Sequence, residues 1–117
     1  MQGIDNALNN GPVLIEFWTS TCTYCKQQAD ILNQLKGQYP GVSFQDYDAN
    51  ANRDLARAFG VSGVPTMSVI VKKNSDGSYT YAGPGGSITN DRIGSRFVGL
   101  TSADELKKAL NAALGAR

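Results

Sequence analysis

A chain of 117 residues, 41% hydrophobic and 18% charged, has room for one hydrophobic core and no second. Eleven Lys plus Arg against ten Asp plus Glu leave a net charge of +1, with no basic run longer than Lys72-Lys73, so the footprint for a phosphate backbone is missing and no nucleic-acid partner is expected. Zero histidines exclude Ser-His and Cys-His hydrolases and every zinc site that needs imidazole. Two cysteines are too few for a disulfide-stapled fold or a closed four-thiolate metal site within one chain.

Ile4, Ala7 and Leu8 share one helical face, and Asn9-Asn10-Gly11-Pro12 stops that first helix. Val13 to Trp18 is a nearly continuous apolar run, as expected of a central strand covered on both faces. It is interrupted by Glu16 and falls far short of the roughly 20 residues that cross a bilayer, and no signal peptide is read at the N-terminus, so the expectation is a soluble chain without a membrane span. From Cys22 to about Leu35 the pattern turns helical, with Ala29, Ile31, Leu32 and Leu35 inward, and Gly37 and Pro40 end it. The cysteines therefore sit at a strand-to-helix turn.

Val42, Phe44 and Tyr47 suggest a second strand, and Leu55, Ala56 and Phe59 a helix face closed by Gly60. Met67 to Val71 reads as a strand entered through Pro65. Asp76-Gly77 signals a hairpin that returns Tyr79 to Ala82 antiparallel. Ser102 with Glu105 three residues on opens a last helix, whose stripe is Leu106, Ala109, Leu110, Ala113 and Leu114. Between these lies a glycine-rich stretch, Gly83 to Ser95, too long for an ordinary return; with only Ile88 and Ile93 to bury, it reads as an insertion, a mobile flap or lid candidate. The domain expectation is a single unit, 1–117, with an insertion at 83–95.

Two thiols separated by two residues at the opening of a helix can form a small disulfide and release it again. Cys22, at the positive end of the helix dipole beside free backbone N–H groups, is the attacking thiolate. Cys25, within the first turn and more sheltered, is the resolving thiol. Glu16 lies inside an apolar run, where burial raises a carboxyl's proton affinity and suits it to exchange a proton with Cys25 through water. Trp18 reads as core or groove wall, and Tyr24 as a solvent-facing helix residue or a substrate contact.

Three segments together resemble the thioredoxin family. They are Glu16-Phe17-Trp18 running into Cys22-Thr23-Tyr24-Cys25-Lys26, then Gly60-Val61-Ser62-Gly63-Val64-Pro65-Thr66, then Phe97-Val98-Gly99 ahead of the capped final helix. The resemblance implies an α/β architecture, the thioredoxin fold, with a central mixed β-sheet flanked by helices on both faces. It implies that Pro65 is cis and faces Cys22, that Val64 offers its backbone to an extended substrate, and that Gly99 keeps the docking groove shallow. The catalytic candidates are thus Cys22, Cys25 and Glu16, and the substrate-binding candidates Trp18, Tyr24, Val64, Pro65 and Gly99. Thr23-Tyr24 stand where thioredoxins usually carry Gly-Pro. Glu16 aligns with the family's buried aspartate, and the lysine often near that aspartate has no counterpart between Val42 and Tyr47.

The expected function is a thiol-disulfide oxidoreductase, a protein-disulfide oxidoreductase with a Cys22-Cys25 couple that is reducing or intermediate in potential. It would act as a monomer on protein disulfides, recharged by a separate reductase or electron donor, with no cofactor and no metal. A cytoplasmic setting is expected, or a tethered extracytoplasmic domain if the N-terminus was trimmed. Two other classes compete: a binding module that uses the fold to hold partners, and a carrier in which two chains each donate Cys22 and Cys25 to a metal or cluster.

Overall fold

The structure, a computed structural model, describes residues 1–117. In chain order the elements are α1 (Gln2–Leu8), β1 (Val13–Trp18), α2 (Thr23–Gln38), β2 (Ser43–Asp48), α3 (Arg53–Ala58), β3 (Thr66–Lys73) and β4 (Tyr79–Ala82). A 3-10 turn (Pro84–Gly86), β5 (Ile88–Thr89), β6 (Phe97–Val98) and α4 (Ala103–Gly115) complete the chain. The strands make one mixed sheet in the order β2-β1-β3-β4-β5, with β6 also paired to β3. β1 runs parallel to β2 and antiparallel to β3. It is therefore covered on both edges as well as both faces, which is why its sequence is apolar almost throughout.

Strand alternation sorts the core into two layers. Leu14, Met67, Val69 and Val71 pack with Leu32 and Leu35 of α2 and with Leu106, Ala109, Leu110 and Ala113 of α4. On the other face Val13, Ile15, Phe17, Ile70, Tyr79 and Tyr81 meet Ile4 and Leu8 of α1 together with Ala56 and Phe59 at α3. Helices thus flank a mixed sheet on both faces. α4 begins as its sequence suggests, the Ser102 hydroxyl accepting the Glu105 N–H at 3.3 Å, although Leu114 at its far end is exposed.

Two elements differ from the sequence reading. α2 continues through Gly37 to Gln38, and its inward row is Cys25, Gln28, Leu32 and Leu35, whereas Ala29 and Ile31 are half-buried. The spacing of three and four residues places a glutamine on the buried stripe. The second difference is the excursion between β4 and β6. Ala82 pairs with Val69 and Phe97 with Met67, so on β3 only Ser68 separates the point where the chain leaves the sheet from the point where it returns. A Cβ on Gly83 would sit 3.1 Å from Ser95 Cα, so the neck is closed by backbone approach. Ile88 and Ile93 are both exposed, and polar groups rather than apolar burial tie the excursion to the rest of the fold.

Candidate active site

The end of β1 and the start of α2 set the two sulfurs. Cys22 is the N-cap of α2, its backbone extended at φ −87° and ψ 109°, and its Sγ accepts the Cys25 N–H at 3.1 Å. That is the position at which a helix leaves unpaired N–H groups pointing at a negative charge, so the same contact stabilises a Cys22 thiolate once the pair is reduced. Cys25 lies one turn in, 5% exposed. The two are joined as a disulfide, with Cα atoms 5.2 Å apart. Between them Tyr24 is 60% exposed, pointing to solvent beside the disulfide.

Two loops close on this turn. The Val64–Pro65 peptide bond is cis, and the Val64 carbonyl oxygen lies 3.6 Å from Cys22 Sγ. The Pro65 carbonyl accepts the Gly99 N–H at 2.8 Å, which brings the third loop alongside the second. Gly99 has φ +86°, a conformation that disfavours a side chain, and a Cβ there would meet nothing within 4 Å. The surface over Gly99 is thus open, and exposed Val98 and Leu100 flank it.

Behind Cys25 a cleft of about 370 Å³ runs between α2 and the β1-β2 edge, lined by Glu16, Trp18, Cys25, Lys26, Lys36 and Asp46 among others. Glu16 is 4% exposed, and its Oε2 has no hydrogen-bond partner. Burial raises its carboxyl from 4.5 to about 7, the neighbouring Asp46 charge pushes the same way, and Lys36 pulls back. Trp18 is half-buried, a wall of this cleft, and its Nε1 donates to Asp46 Oδ1 at 2.9 Å.

Comparison with known proteins agrees with this geometry. The Thioredoxin family model matches residues 2–93. The chain belongs to the thioredoxin family. A putative thioredoxin 2 of Streptomyces coelicolor is 31% identical over 102 residues, covering 87% of this chain and 74% of that protein. Protein disulfide isomerase-like 2-2 of rice, Oryza sativa subsp. japonica, is 38% identical over 71 residues; that match covers 58% of this chain and only 19% of the longer relative. Among solved structures, a variant of the thioredoxin from Halobacterium salinarum superposes with a TM-score of 0.72 at 24% identity, covering 97% of this chain and 85% of that one. Thioredoxins and disulfide isomerase-like proteins thus stand together among its relatives.

Seen as a thioredoxin-family member, the chain assembles its buried carboxyl in its own way. No lysine of the second strand approaches Glu16, but Lys36 reaches the same cleft from α2. Asp46, directly opposite Glu16 in the parallel β1-β2 register, adds a second carboxylate. Neither contact is visible in local sequence, because both depend on how α2 and β2 dock on β1.

Gln28 is the residue that sequence reasoning passed over. It is 0% exposed, its Oε1 accepts the Thr101 N–H at 2.7 Å, and its Nε2 donates to the Thr101 carbonyl at 3.1 Å. This two-point clamp joins the cysteine helix to the loop just beyond Gly99. The available signal was a polar side chain three residues after Cys25 on the apolar stripe. Gln28→Leu is expected to lower stability by about 2 kcal/mol in urea unfolding, since a buried backbone N–H and carbonyl lose their partners together.

Proposed function

We propose that the protein reduces or exchanges protein disulfides through the Cys22-Cys25 couple, with Cys22 as nucleophile, Cys25 as resolving thiol and Glu16 as the proton acceptor for Cys25. The observation that carries this reading is the disulfide at the N-terminus of α2 with the Val64 carbonyl beside the outer sulfur. In the reduced protein the Cys22 thiolate attacks one sulfur of a substrate disulfide. The substrate S–S bond breaks, its leaving thiolate takes a proton, and a mixed disulfide with Cys22 remains. Cys25 then gives its proton to the Glu16 carboxylate across the cleft and attacks Cys22 Sγ. The second substrate thiolate departs, and the Cys22–Cys25 disulfide forms. Two electrons have passed to the substrate.

Several features support the substrate side of this reading. A strand laid beside Val64 can pair with its backbone, as extended segments do at exposed peptide edges, while the cis Pro65 supplies no competing N–H. Exposed Tyr24, Val98 and Leu100 supply an apolar rim suited to a protein surface. No helix is long and apolar enough to cross a membrane. The reading includes a monomer that uses no nucleic acid, works in a reducing cytoplasm, and is recharged by an electron donor of the disulfide-reductase class.

The test is direct. Chemically reduced protein incubated with insulin is expected to open the insulin disulfides and end with Cys22 and Cys25 oxidised. Brief iodoacetamide treatment of the reduced form should label Cys22 well before Cys25 by mass mapping, following exposure and thiolate character. Failure to reduce insulin, together with equal labelling, would leave the assignment without support.

A further inference from the structure

The excursion Gly83–Arg96 leaves and rejoins the sheet across a single β3 residue, Ser68, and apart from the two-residue β5 that pairs with β4 it makes no strand pairing. One side of it rests on α4, where Gly86 approaches the Lys108 carbonyl and Ala112. Its other side reaches the C-terminal end of α3. There the carbonyls of Leu55, Ala56 and Arg57 accept backbone N–H groups of Phe59, Val61 and Gly60. The next carbonyls along, those of Ala58 and Gly60, receive guanidinium groups instead. Arg92 Nη1 donates to the Ala58 carbonyl at 2.9 Å and Arg96 Nη1 to the Gly60 carbonyl.

Both arginines are themselves held. Arg92 Nε donates to the Tyr81 hydroxyl at 2.6 Å, and its guanidinium lies over the Phe59 ring, 4.7 Å from the centroid. Arg96 Nε donates to the Ile93 carbonyl at 2.9 Å, and the Ile93 side chain lies over Gly60. The Asp91 carboxylate accepts the N–H groups of Ile93 and Gly94 at 3.2 and 3.0 Å, fixing the turn between the two arginines. A positive charge at the carboxyl end of a helix is favourable electrostatically, and here two of them meet carbonyls that would otherwise face outward.

What lies downstream gives these contacts their meaning. From Gly60 the chain runs through Val61 and Gly63, whose carbonyl accepts the Thr66 hydroxyl at 2.6 Å, to Val64, whose carbonyl lies against Cys22. We propose that Arg92 and Arg96 are positioning residues: the excursion is a brace that fixes Ala58–Val64 from behind, so that the Val64 backbone is preset to receive a substrate strand next to Cys22. The proposal rests on the oxidoreductase reading above and adds to it a determinant of affinity for protein substrates. A small disulfide needs only the Cys22 thiolate; a protein disulfide also needs the strand register at Val64. The brace acts on the second and not the first.

Arg96→Ala is the decisive variant: both arginines are half-buried, but Arg92 also lies over Phe59 and bonds Tyr81, so its loss would disturb the core. With insulin as substrate, KM is expected to rise about tenfold with kcat within about twofold. Reduction of 5,5'-dithiobis(2-nitrobenzoate) should stay at the wild-type rate. Arg96→Lys, which can still donate one hydrogen bond to the Gly60 carbonyl, should recover most of the insulin KM, and Arg92→Lys less, since an ammonium cannot replace a planar fork that bonds and stacks at once. An unchanged insulin KM in Arg96→Ala overturns the proposal, as does an equal loss on both substrates. A wild-type protein inactive on the small disulfide would instead overturn the oxidoreductase reading itself, which keeps the two failures apart.

Discussion

Cys22→Ser is expected to abolish turnover, lowering insulin reduction by about a thousandfold or more, because a serine hydroxyl at this position stays protonated and cannot open a disulfide. Cys25→Ser behaves differently. The first attack remains available to Cys22, but the mixed disulfide has no internal thiol to break it, so a covalent complex with substrate accumulates and is visible on a non-reducing gel. Single turnover without release in Cys25→Ser, beside no adduct at all in Cys22→Ser, distinguishes attacking from resolving sulfur. If Cys25→Ser formed no adduct while Cys22→Ser did, the two roles would be exchanged.

Glu16→Gln is the second large effect, and it has a kinetic and a thermodynamic face. Removing the proton acceptor for Cys25 is expected to slow resolution of the mixed disulfide about a hundredfold at neutral pH, within the range of general-base contributions. For stability, the folded Glu16 titrates near 7 against 4.5 for a free side chain. Below about pH 4.5 both states hold the proton and Glu16 adds no pH dependence. Between that point and about pH 7 the unfolded chain releases the proton first, so stability falls as pH rises, by roughly 3 kcal/mol in total before it levels off. The groups facing Glu16 are Asp46 from β2, Lys36 and Lys26 from α2, and Cys25. Urea midpoints measured from pH 4 to 9 should show that decline in the wild type and lose it in Glu16→Gln. A flat wild-type profile would mean that Glu16 ionises normally in the fold.

Local pattern in this chain carries the elements that follow from spacing alone. The apolar run ending at Trp18, the Asp76-Gly77 hairpin, the Ser102 cap and the short path from Cys22 into a helix each follow from a few adjacent residues, and each stands in the structure. The cis bond before Pro65 followed from family resemblance, since a peptide's isomer is not written in its neighbours. The pairing of Glu16 with Asp46 required the parallel register of two strands separated by a whole helix. The buried place of Gln28 depends on Thr101, which lies 73 residues further along the chain. The contacts of Arg92 and Arg96 are equally non-local, since the carbonyls they meet, at the last residue of α3 and at Gly60 just beyond it, lie more than thirty residues earlier.

The short β5 has a bearing on the company this protein keeps. If it reduces protein disulfides as proposed above, its partners are chains that loosen as their cross-links open, and such chains carry unpaired strands in search of an edge. Tyr79–Ala82 would offer them one, four buried residues long and apolar or aromatic in three of the four. Instead Ile88 and Thr89 take the places beside Ala82 and Tyr81, and the Thr80 hydroxyl bonds Asn90 just beyond. On this side the sheet therefore stops at a two-residue strand that turns away at Asn90 and Asp91, too short to template the growth of an aggregate.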